Sequence, residues 1–455
     1  MQEFSKPLPE RLVTVLPMIK SEARLVALWI TEGRRIGMFR QGEPVTSSSL
    51  LKFQEDQRRN GWAYEAIIAW DDSLPLGYFD IRYKDARAEI LGIFIEPQFR
   101  KRHLGRHLVR VAIAMLRDRG CRKVTMEIFA HNAPSLRMSA SLGFKQVRSF
   151  MHPADPTKTV TMSRPVDPWP RLSKAMPRYS LLRGENFYFQ HAAVAEALLD
   201  AFTRIPGVEL VLGLGSLARG FGDKWSDLDM VVLGRGLSLD SFWGGELWLA
   251  GLSVDLFVVD LDSSPPDSWD LGRRQAYEES RVLFRKPEFR LKPLQKCLRL
   301  NPVERRWGIY DALFRIGWLG FAPRDWYMKP RYGYLWSLPP DEWILRGCTA
   351  SAHITVDRVV DMLFQLLFLL NWQHVPDAKW RRFLVPGLEL VPRSLLGKLE
   401  KIETLPRDAS HFTERADLLI SLVEATVTIL SKQGILKGNL YRAFLKHCPD
   451  YDPKS

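Results

Sequence analysis

Three aspartates in the middle of this 455-residue chain stand where they can share one metal ion. Asp227 and Asp229 lie two residues apart in Ser226-Asp227-Leu228-Asp229, immediately before the apolar run Met230-Val231-Val232-Leu233. Side chains two apart on a strand point to one face, so both carboxylates can reach the same cation. A third, Asp255, lies inside another apolar run, Leu252 to Val259, where a buried acid needs a metal or a partner. Eleven residues before Asp227 comes Ser216, in the small pair Gly215-Ser216 that follows the apolar run Val208 to Leu214. The N–H groups of such a turn can approach phosphate oxygens closely. The acid pair alone would suit turn capping; turn, pair and third acid in order suit phosphoryl transfer at a hard cation such as Mg²⁺.

A second constellation lies nearer the N-terminus. The stretch Glu89 to Ile95 leads into the basic turn Arg100-Lys101-Arg102-His103-Leu104-Gly105-Arg106, and a helical pattern follows at once. A strand running through such a turn into a helix presents backbone N–H groups and the positive end of a helix dipole, a way to hold a pyrophosphate. Downstream, Asn132-Ala133-Pro134-Ser135 opens a short helix that ends in Leu142-Gly143-Phe144. The carboxylates best placed to deprotonate an ammonium are Glu89 and Glu127. Each can equally serve as the partner of a neighbouring cation, Arg87 or Lys123.

Periodicity gives the elements that must carry these residues. Arg11–Ile19, Ala63–Trp70, Leu76–Tyr83, Glu89–Ile95, Val124–Phe129, Phe144–Met151 and Lys158–Met162 read as strands. Leu108–Leu116 has a continuous apolar helical face closed by Arg119-Gly120, and Pro134–Leu142 reads as a short helix. Residues 167–184 are Pro-rich and basic, the composition of a linker. Asn186–Thr203 is an amphipathic helix that feeds the strands carrying the acids. From about Pro293 onward the pattern is helical, clearest over Val359–Leu370 and Leu418–Leu430. The expected class is multidomain α/β. A mixed sheet flanked by helices spans 1–166, the linker 167–184, a small α/β domain 185–290 and an all-α domain 291–455.

On these motifs, residues 186–290 resemble the nucleotidyltransferase superfamily that includes DNA polymerase β, and within it most of all the small nucleotidyltransferases and the kanamycin nucleotidyltransferase type. The resemblance implies that Asp227 and Asp229 ligate two Mg²⁺ ions, while Asp255 ligates the second ion or accepts the acceptor hydroxyl's proton. It implies that Gly215, Ser216, Arg219 and Ser226 bind the nucleoside triphosphate, ATP being the expected one. Arg219 has an alternative, an ion pair with Asp223. Residues 8–164 resemble the GNAT acetyltransferases. That resemblance implies an acetyl-CoA site made by Ile93, Ile95, Arg100, Lys101, Arg102, His103, Leu104, Gly105, Arg106, Asn132 and Ser135. Two positions depart from the GNAT pattern. His103 stands at the first loop glycine, either as an added side chain or as a phosphate donor. Ser139 replaces the tyrosine that often protonates the departing thiolate.

Composition bounds the partners. With 46% hydrophobic and 26% charged residues the chain reads as globular, and it shows neither an N-terminal leader nor an apolar run long enough to span a bilayer. Cys121, Cys297, Cys348 and Cys448 have no paired spacing, which suits a reduced cytoplasm. The net charge of +13 is unevenly spread: residues 1–170 hold 27 basic and 18 acidic groups, 171–290 hold 14 and 17, and 291–455 hold 24 and 17. An acidic centre suits metal ions and a cationic substrate, whereas basic flanks suit RNA. The leading expectation is therefore a bifunctional transferase that acetylates an amine and nucleotidylates a hydroxyl of a small, aminoglycoside-like molecule. The alternative is an enzyme that modifies RNA or tRNA, with the GNAT half acting on aminoacyl groups or serving as a degenerate binding module. Within the helical part, Asn371 and Lys379 near a Pro turn, and Trp336, Trp343 and Trp372, can border a site or serve as packing anchors.

Overall fold

The computed structural model describes residues 13–152, 155–172, 187–237, 247–323 and 340–436. Residues 173–184 of the expected linker, Trp336 and Cys448 lie outside them.

Strands β1 (Thr14–Pro17), β2 (Ala63–Asp71), β3 (Leu74–Lys84), β4 (Arg87–Ile95), β5 (Lys123–Phe129), β6 (Lys145–His152) and β7 (Asp155–Pro165) form one sheet in the order β1-β2-β3-β4-β5-β7-β6. Every neighbouring pair is antiparallel except β4 and β5. Two helices that periodicity did not single out, α1 (Ala23–Arg35) and α2 (Ser47–Arg59), fill the connection between β1 and β2. Thr46 starts α2 by accepting a hydrogen bond from the Ser49 N–H at 3.1 Å. Trp29 of α1 and Leu50 of α2 bury against Ile68, Tyr78 and Phe94 on one face of the sheet. Helix α3 (Leu104–Asp118) packs on the other face, against Phe79, Ile81, Ile90 and Val124. Helix α4 (Ala133–Ser141) follows β5.

The second sheet has five strands in the order β10-β11-β9-β8-β12: β8 (Val208–Gly213), β9 (Leu228–Gly234), β10 (Leu247–Leu249), β11 (Leu252–Asp260) and β12 (Arg281–Arg285). Only β9 and β11 run parallel. Helix α5 (Tyr188–Phe202) sets Val194, Leu198 and Phe202 against Val211, Met230, Val232 and Val254 of this sheet. A short helix α6 (Gly215–Arg219) follows β8.

The two sheets belong to one compact unit, and α3 shows why. Nearly every residue from Leu104 to Arg117 is buried, the pattern of a helix covered all round. Its second face meets α5: Ala193 joins the first sheet's core and Ala114 the second's. Between them the Glu196 carboxylate accepts from Arg117 at 2.7 Å and from Arg164 at 2.6 Å, all three groups being largely buried. Burial raises the Glu196 pKa, but the two guanidiniums outweigh it and hold the carboxyl below its ordinary range. Arg110 adds a pair with Asp200 at 3.0 Å. Residues 167–172, read from sequence as linker, are docked: Trp169 is buried under Arg117, whose guanidinium lies 4.0 Å from the ring centroid. The Leu172 N–H donates to the Ser280 carbonyl, and the Val282 N–H to the Pro170 carbonyl.

The residues from Lys296 belong to a second compact unit that, as described, is helical. Helix Thr349–Leu370 packs against Pro302–Trp318 and Ala409–Lys432, matching the two helices expected from periodicity. Arg415, almost fully buried, donates to the Ile402 carbonyl at 2.9 Å and pairs with Asp357 at 3.1 Å. Asn371 donates to the Leu367 and Leu390 carbonyls. Arg305 closes the end of Thr349–Leu370 through the Leu369 and Leu370 carbonyls and covers the Trp372 ring at 3.9 Å. Asn371 and Trp372 thus have structural partners here. Among the described residues, no helix is long and apolar enough to cross a membrane.

Candidate active sites

The first site lies where the parallel pair β4–β5 comes apart. The register holds from Arg87↔Lys123 to Ile90↔Met126 and then stops. On its other edge, β4 carries a bulge: Ile90 pairs with Ile81 and Gly92 with Asp80, leaving Leu91 extra. A bulge bends its strand, and here the strands beyond it diverge around a cavity of about 510 Å³. Ile93 and Ile95 line it from β4, Glu127 and Phe129 from β5, and Gly105 and Arg106 from the start of α3.

The basic turn is built from unusual backbone. Lys101 and His103 both have left-handed conformations, φ 65° and 60°, which glycine adopts without steric penalty and other residues rarely do. His103 is the N-cap of α3 and caps it with no side-chain hydrogen bond. Lys101, His103, Leu104, Gly105 and Arg106 line the cavity, as does Arg100. Arg102 is exposed and outside the lining. Arg100 acts as a pin: its Nε donates to the Ile95 carbonyl at 2.9 Å, and its guanidinium lies over Phe94. Asn132 accepts from the Ser135 N–H at 3.2 Å and so caps α4, while both residues face the cavity. Ser139 is fully buried, its hydroxyl donating to the Ser135 carbonyl at 2.8 Å.

Of the two base candidates, Glu127 lies on the cavity wall and Glu89 does not. Glu127 pairs with Arg40 at 2.6 Å and Arg148 at 3.6 Å, and Glu89 pairs with Arg82 at 2.6 Å. Neither uses the Arg87 or Lys123 partner that sequence proximity suggests. One acid escaped sequence reading altogether. Asp80 on β3 is buried and accepts from the Tyr64 hydroxyl at 3.0 Å through Oδ2. Burial pushes its pKa up to about 7, against the lowering effects of the Tyr64 hydroxyl, the Gly92 amide and Arg82.

The family model described as acetyltransferase (GNAT) matches residues 29–144. This region is a GNAT acetyltransferase domain. Three solved structures illustrate what it is similar to. A phosphinothricin acetyltransferase from Sinorhizobium meliloti in complex with acetyl-CoA is 17% identical over 34% of this chain and 89% of its own, with a TM-score of 0.30. A spermidine N-acetyltransferase from Vibrio cholerae in complex with CoA and spermine is 15% identical over 34% and 95%, with a TM-score of 0.30. A ribosomal-protein-alanine N-acetyltransferase from Brucella melitensis is 15% identical over 33% and 98%, with a TM-score of 0.29. No curated protein matches the chain.

The second site lies on the parallel pair of the other sheet. Here the register runs unbroken from Val254↔Leu228 to Asp260↔Gly234, with Asp255 directly beside Asp229. Ligand oxygens of Asp227, Asp229 and Asp255 lie within 4.8 Å of one another; Asp227 is exposed and the other two are half-buried. Gly215, with φ 48°, makes room for them. A Cβ there would lie 2.1 Å from Asp229 Oδ2, so no side chain fits without moving the carboxylate. Ser216 is buried and donates to the Asp227 carbonyl at 3.0 Å, fixing the strand entry. Ser226 closes the preceding turn, its hydroxyl donating to Asp223 at 3.1 Å. Arg219 pairs not with Asp223 but with Glu279 at 2.9 Å, both side chains being nearly buried. His191 of α5 places its ring nitrogens 2.8 Å from the Phe187 carbonyl and 3.1 Å from the Ser226 carbonyl, so α5 braces the residue before Asp227. A set of three hard carboxylate oxygens fits magnesium.

Proposed function

We propose that the chain is a bifunctional transferase, an acetyl-CoA-dependent N-acetyltransferase at the first sheet and a magnesium-dependent nucleotidyltransferase at the second. The observation that carries the second activity is the convergence of Asp227, Asp229 and Asp255 within 4.8 Å beside a glycine that only tolerates hydrogen. Aspartates spaced this closely repel one another unless a cation offsets their charge. Magnesium bound there would neutralise the triphosphate tail and lower the pKa of an acceptor hydroxyl. Asp227, the exposed member, would ligate the ion that carries the nucleotide, and Asp255, on the neighbouring strand, would ligate the second ion or take the acceptor's proton. Gly215 offers its backbone N–H to phosphate oxygens, with Ser216 holding the turn in shape. Because Arg219 and Ser226 are engaged with Glu279 and Asp223, their part is to keep the phosphate loop in place.

In the acetyltransferase site, the α3 start with Lys101 and Arg106 takes the pyrophosphate, since N–H groups, dipole and two cations converge there. The parted edge of β4 at Ile93 and Ile95 orients the pantetheine chain. Ser139 has its hydroxyl on a backbone carbonyl, so the departing thiolate takes its proton from the attacking amine or from solvent. The substrate class that offers both an amine and a hydroxyl is a small polyfunctional amine. The test is mass spectrometry of an amine, aminoglycoside and RNA pool incubated with the full chain, acetyl-CoA, Mg²⁺ and each of ATP, CTP, GTP and UTP. Acetyl and nucleoside monophosphate additions to small amines are the expected products; label confined to RNA would favour the RNA-modifying alternative.

A further inference from the structure

We propose that Trp248 and Phe257 form a shelf that positions the hydroxyl-bearing acceptor beside Asp255, and that this acceptor is a hydroxyaryl alkylammonium, a flat ring with a cationic arm. The proposal rests on the nucleotidyltransferase reading of the second site and names its acceptor end.

The shelf follows from strand alternation. On β10 and β11, Leu247, Leu249, Leu252, Val254, Leu256 and Val258 all pack into the core that α5 covers. The residues between them, Trp248, Ser253, Asp255 and Phe257, therefore point to the opposite face, which Asp229 shares as the register partner of Asp255. There Trp248 is 65% exposed and Phe257 50% exposed. Trp248 stands opposite Ser253, two residues before Asp255, and Phe257 comes two residues after it. At about 3.3 Å per residue, each ring is rooted roughly 7 Å along the strand from the carboxylate. That is the reach of a single aromatic ring that carries its hydroxyl toward the acid. Large apolar side chains left open beside a reaction centre mark a binding surface, and flat rings select a flat partner.

Charge selects the rest. Strands β9, β10 and β11 contain no lysine or arginine, whereas Asp227, Asp229 and Asp255 converge on this face. A phosphate-rich acceptor such as RNA needs cations along its backbone; these strands offer carboxylates, which suit an ammonium. Lys224 already lies 5.0 Å from the Trp225 ring centroid in the turn before Asp227, and an acceptor's ammonium can rest on Trp248 or Phe257 in the same way. A phenolic hydroxyl, with a pKa of about 10, also gives up its proton more readily than an aliphatic alcohol. In the step, the phenolic O–H bond breaks and its proton goes to Asp255 and on to solvent. The phenolate oxygen forms a bond to the α-phosphorus of the nucleoside triphosphate. The bond from that phosphorus to the bridging oxygen breaks, and pyrophosphate leaves with the electron pair. The same molecule keeps an amine, the group that the acetyltransferase activity proposed for the first sheet would use.

The test uses the full chain with Mg²⁺ and a non-hydrolysable ATP analogue for binding by calorimetry, and with Mg²⁺ and ATP for nucleotidyl transfer by mass spectrometry. The probes are tyramine, 4-aminobutanol (no ring), 3-(4-hydroxyphenyl)propionate (no cation) and oligoadenylate. Tyramine should bind at least about tenfold more tightly than either small analogue. Trp248→Ala and Phe257→Ala should each weaken tyramine binding and raise its KM about tenfold, with kcat within about twofold of wild type, the signature of lost acceptor binding. The ATP analogue should bind both variants as it binds the wild type, and Trp248→Phe should restore most of the loss. Both side chains are exposed, so neither change opens a core cavity. Equal binding of tyramine and either small analogue, tighter binding of oligoadenylate, or unchanged tyramine affinity when both rings are removed overturns the proposal and leaves the nucleotidyltransferase reading intact. Failure of the wild type to bind the ATP analogue in Mg²⁺ overturns both.

Discussion

Each sheet has one parallel pair of strands, and each candidate site sits on it, but the two pairs work in opposite ways. In the first sheet the pair β4–β5 separates after Ile90↔Met126, and the gap between the strands becomes the cavity. In the second sheet β9 and β11 stay in register for seven residue pairs, and the pairing itself brings Asp229 and Asp255 together. A site for a long, flexible cofactor needs an opening with unsatisfied strand edges. A site for a small ion needs side chains held at fixed spacing. One sheet is bent by a bulge at Leu91 around the cavity proposed for acetyl-CoA; the other is kept regular, with Gly215 trimmed to a hydrogen atom, where the ion site is proposed.

The largest expected effect belongs to the regular pair. Asp229→Ala should lower nucleotidyl transfer by about a thousandfold, since charge stabilisation at such a site is worth several kcal/mol. Acetyl-CoA binding and the melting temperature should stay near wild type. Gly215→Ala should copy the defect, because its methyl group would meet Asp229 Oδ2. Labelled ATP and a metabolite pool give the readout; a Gly215→Ala protein with normal transfer would show that the close approach has no role.

Next in size is the shared core that ties the pairs together. Glu196→Ala leaves Arg117 and Arg164 buried without their carboxylate, a loss of about 3–5 kcal/mol. Denaturant unfolding should show it, and both sites should be lost in one transition. Two separate transitions, with only one shifted, would mean that α3 and α5 do not bind the sheets into one cooperative unit.

Asp80 gives a stability change of unusual sign. Its folded pKa, about 7, lies above the unfolded value of 3.8, so between those values the folded state binds more protons and stability falls as pH rises. The full loss above pH 7 is on the order of 4 kcal/mol. Asp80→Asn should remove the decline, making the variant more stable than wild type at pH 8 and nearly equal at pH 4. Parallel melting curves of the two proteins across that range would contradict the assignment. The smallest effect concerns the open pair. In Gly105→Val the first added carbon lies 3.3 Å from Ile95 and 3.5 Å from Met138, so acetyl-CoA affinity should drop about tenfold, or 1.4 kcal/mol, as read by calorimetry.

Much of this was legible in the residues, for identifiable reasons. Asp255 stands out because an acid in an apolar strand demands an explanation, and the register of β11 on β9 supplies it. Asp80 sits in an equally apolar context, Leu76-Gly77-Tyr78-Phe79-Asp80-Ile81. Nothing local marks it, because its neighbours Tyr64 and Gly92 come from strands whose registers no local pattern reveals. The strand ladder of the first sheet could be read almost completely from alternation, whereas α1 and α2 could not: each buries a narrow stripe, and α2 only Leu50. The apolar face of α3 was visible, but the burial of its opposite side by α5 joins segments far apart in the chain. Trp169 likewise looked like linker because its cover, Arg117, comes from α3.

The central claim, two transferase sites on one body, is tested most directly by calorimetric titration of the full chain with ATP in Mg²⁺ and, separately, with acetyl-CoA, before and after Asp229→Ala. One molecule of each should bind per chain, each without displacing the other, and Asp229→Ala should abolish only the ATP signal. A wild-type chain that binds acetyl-CoA but no nucleoside triphosphate, or an Asp229→Ala chain that binds ATP as tightly as before, would contradict it.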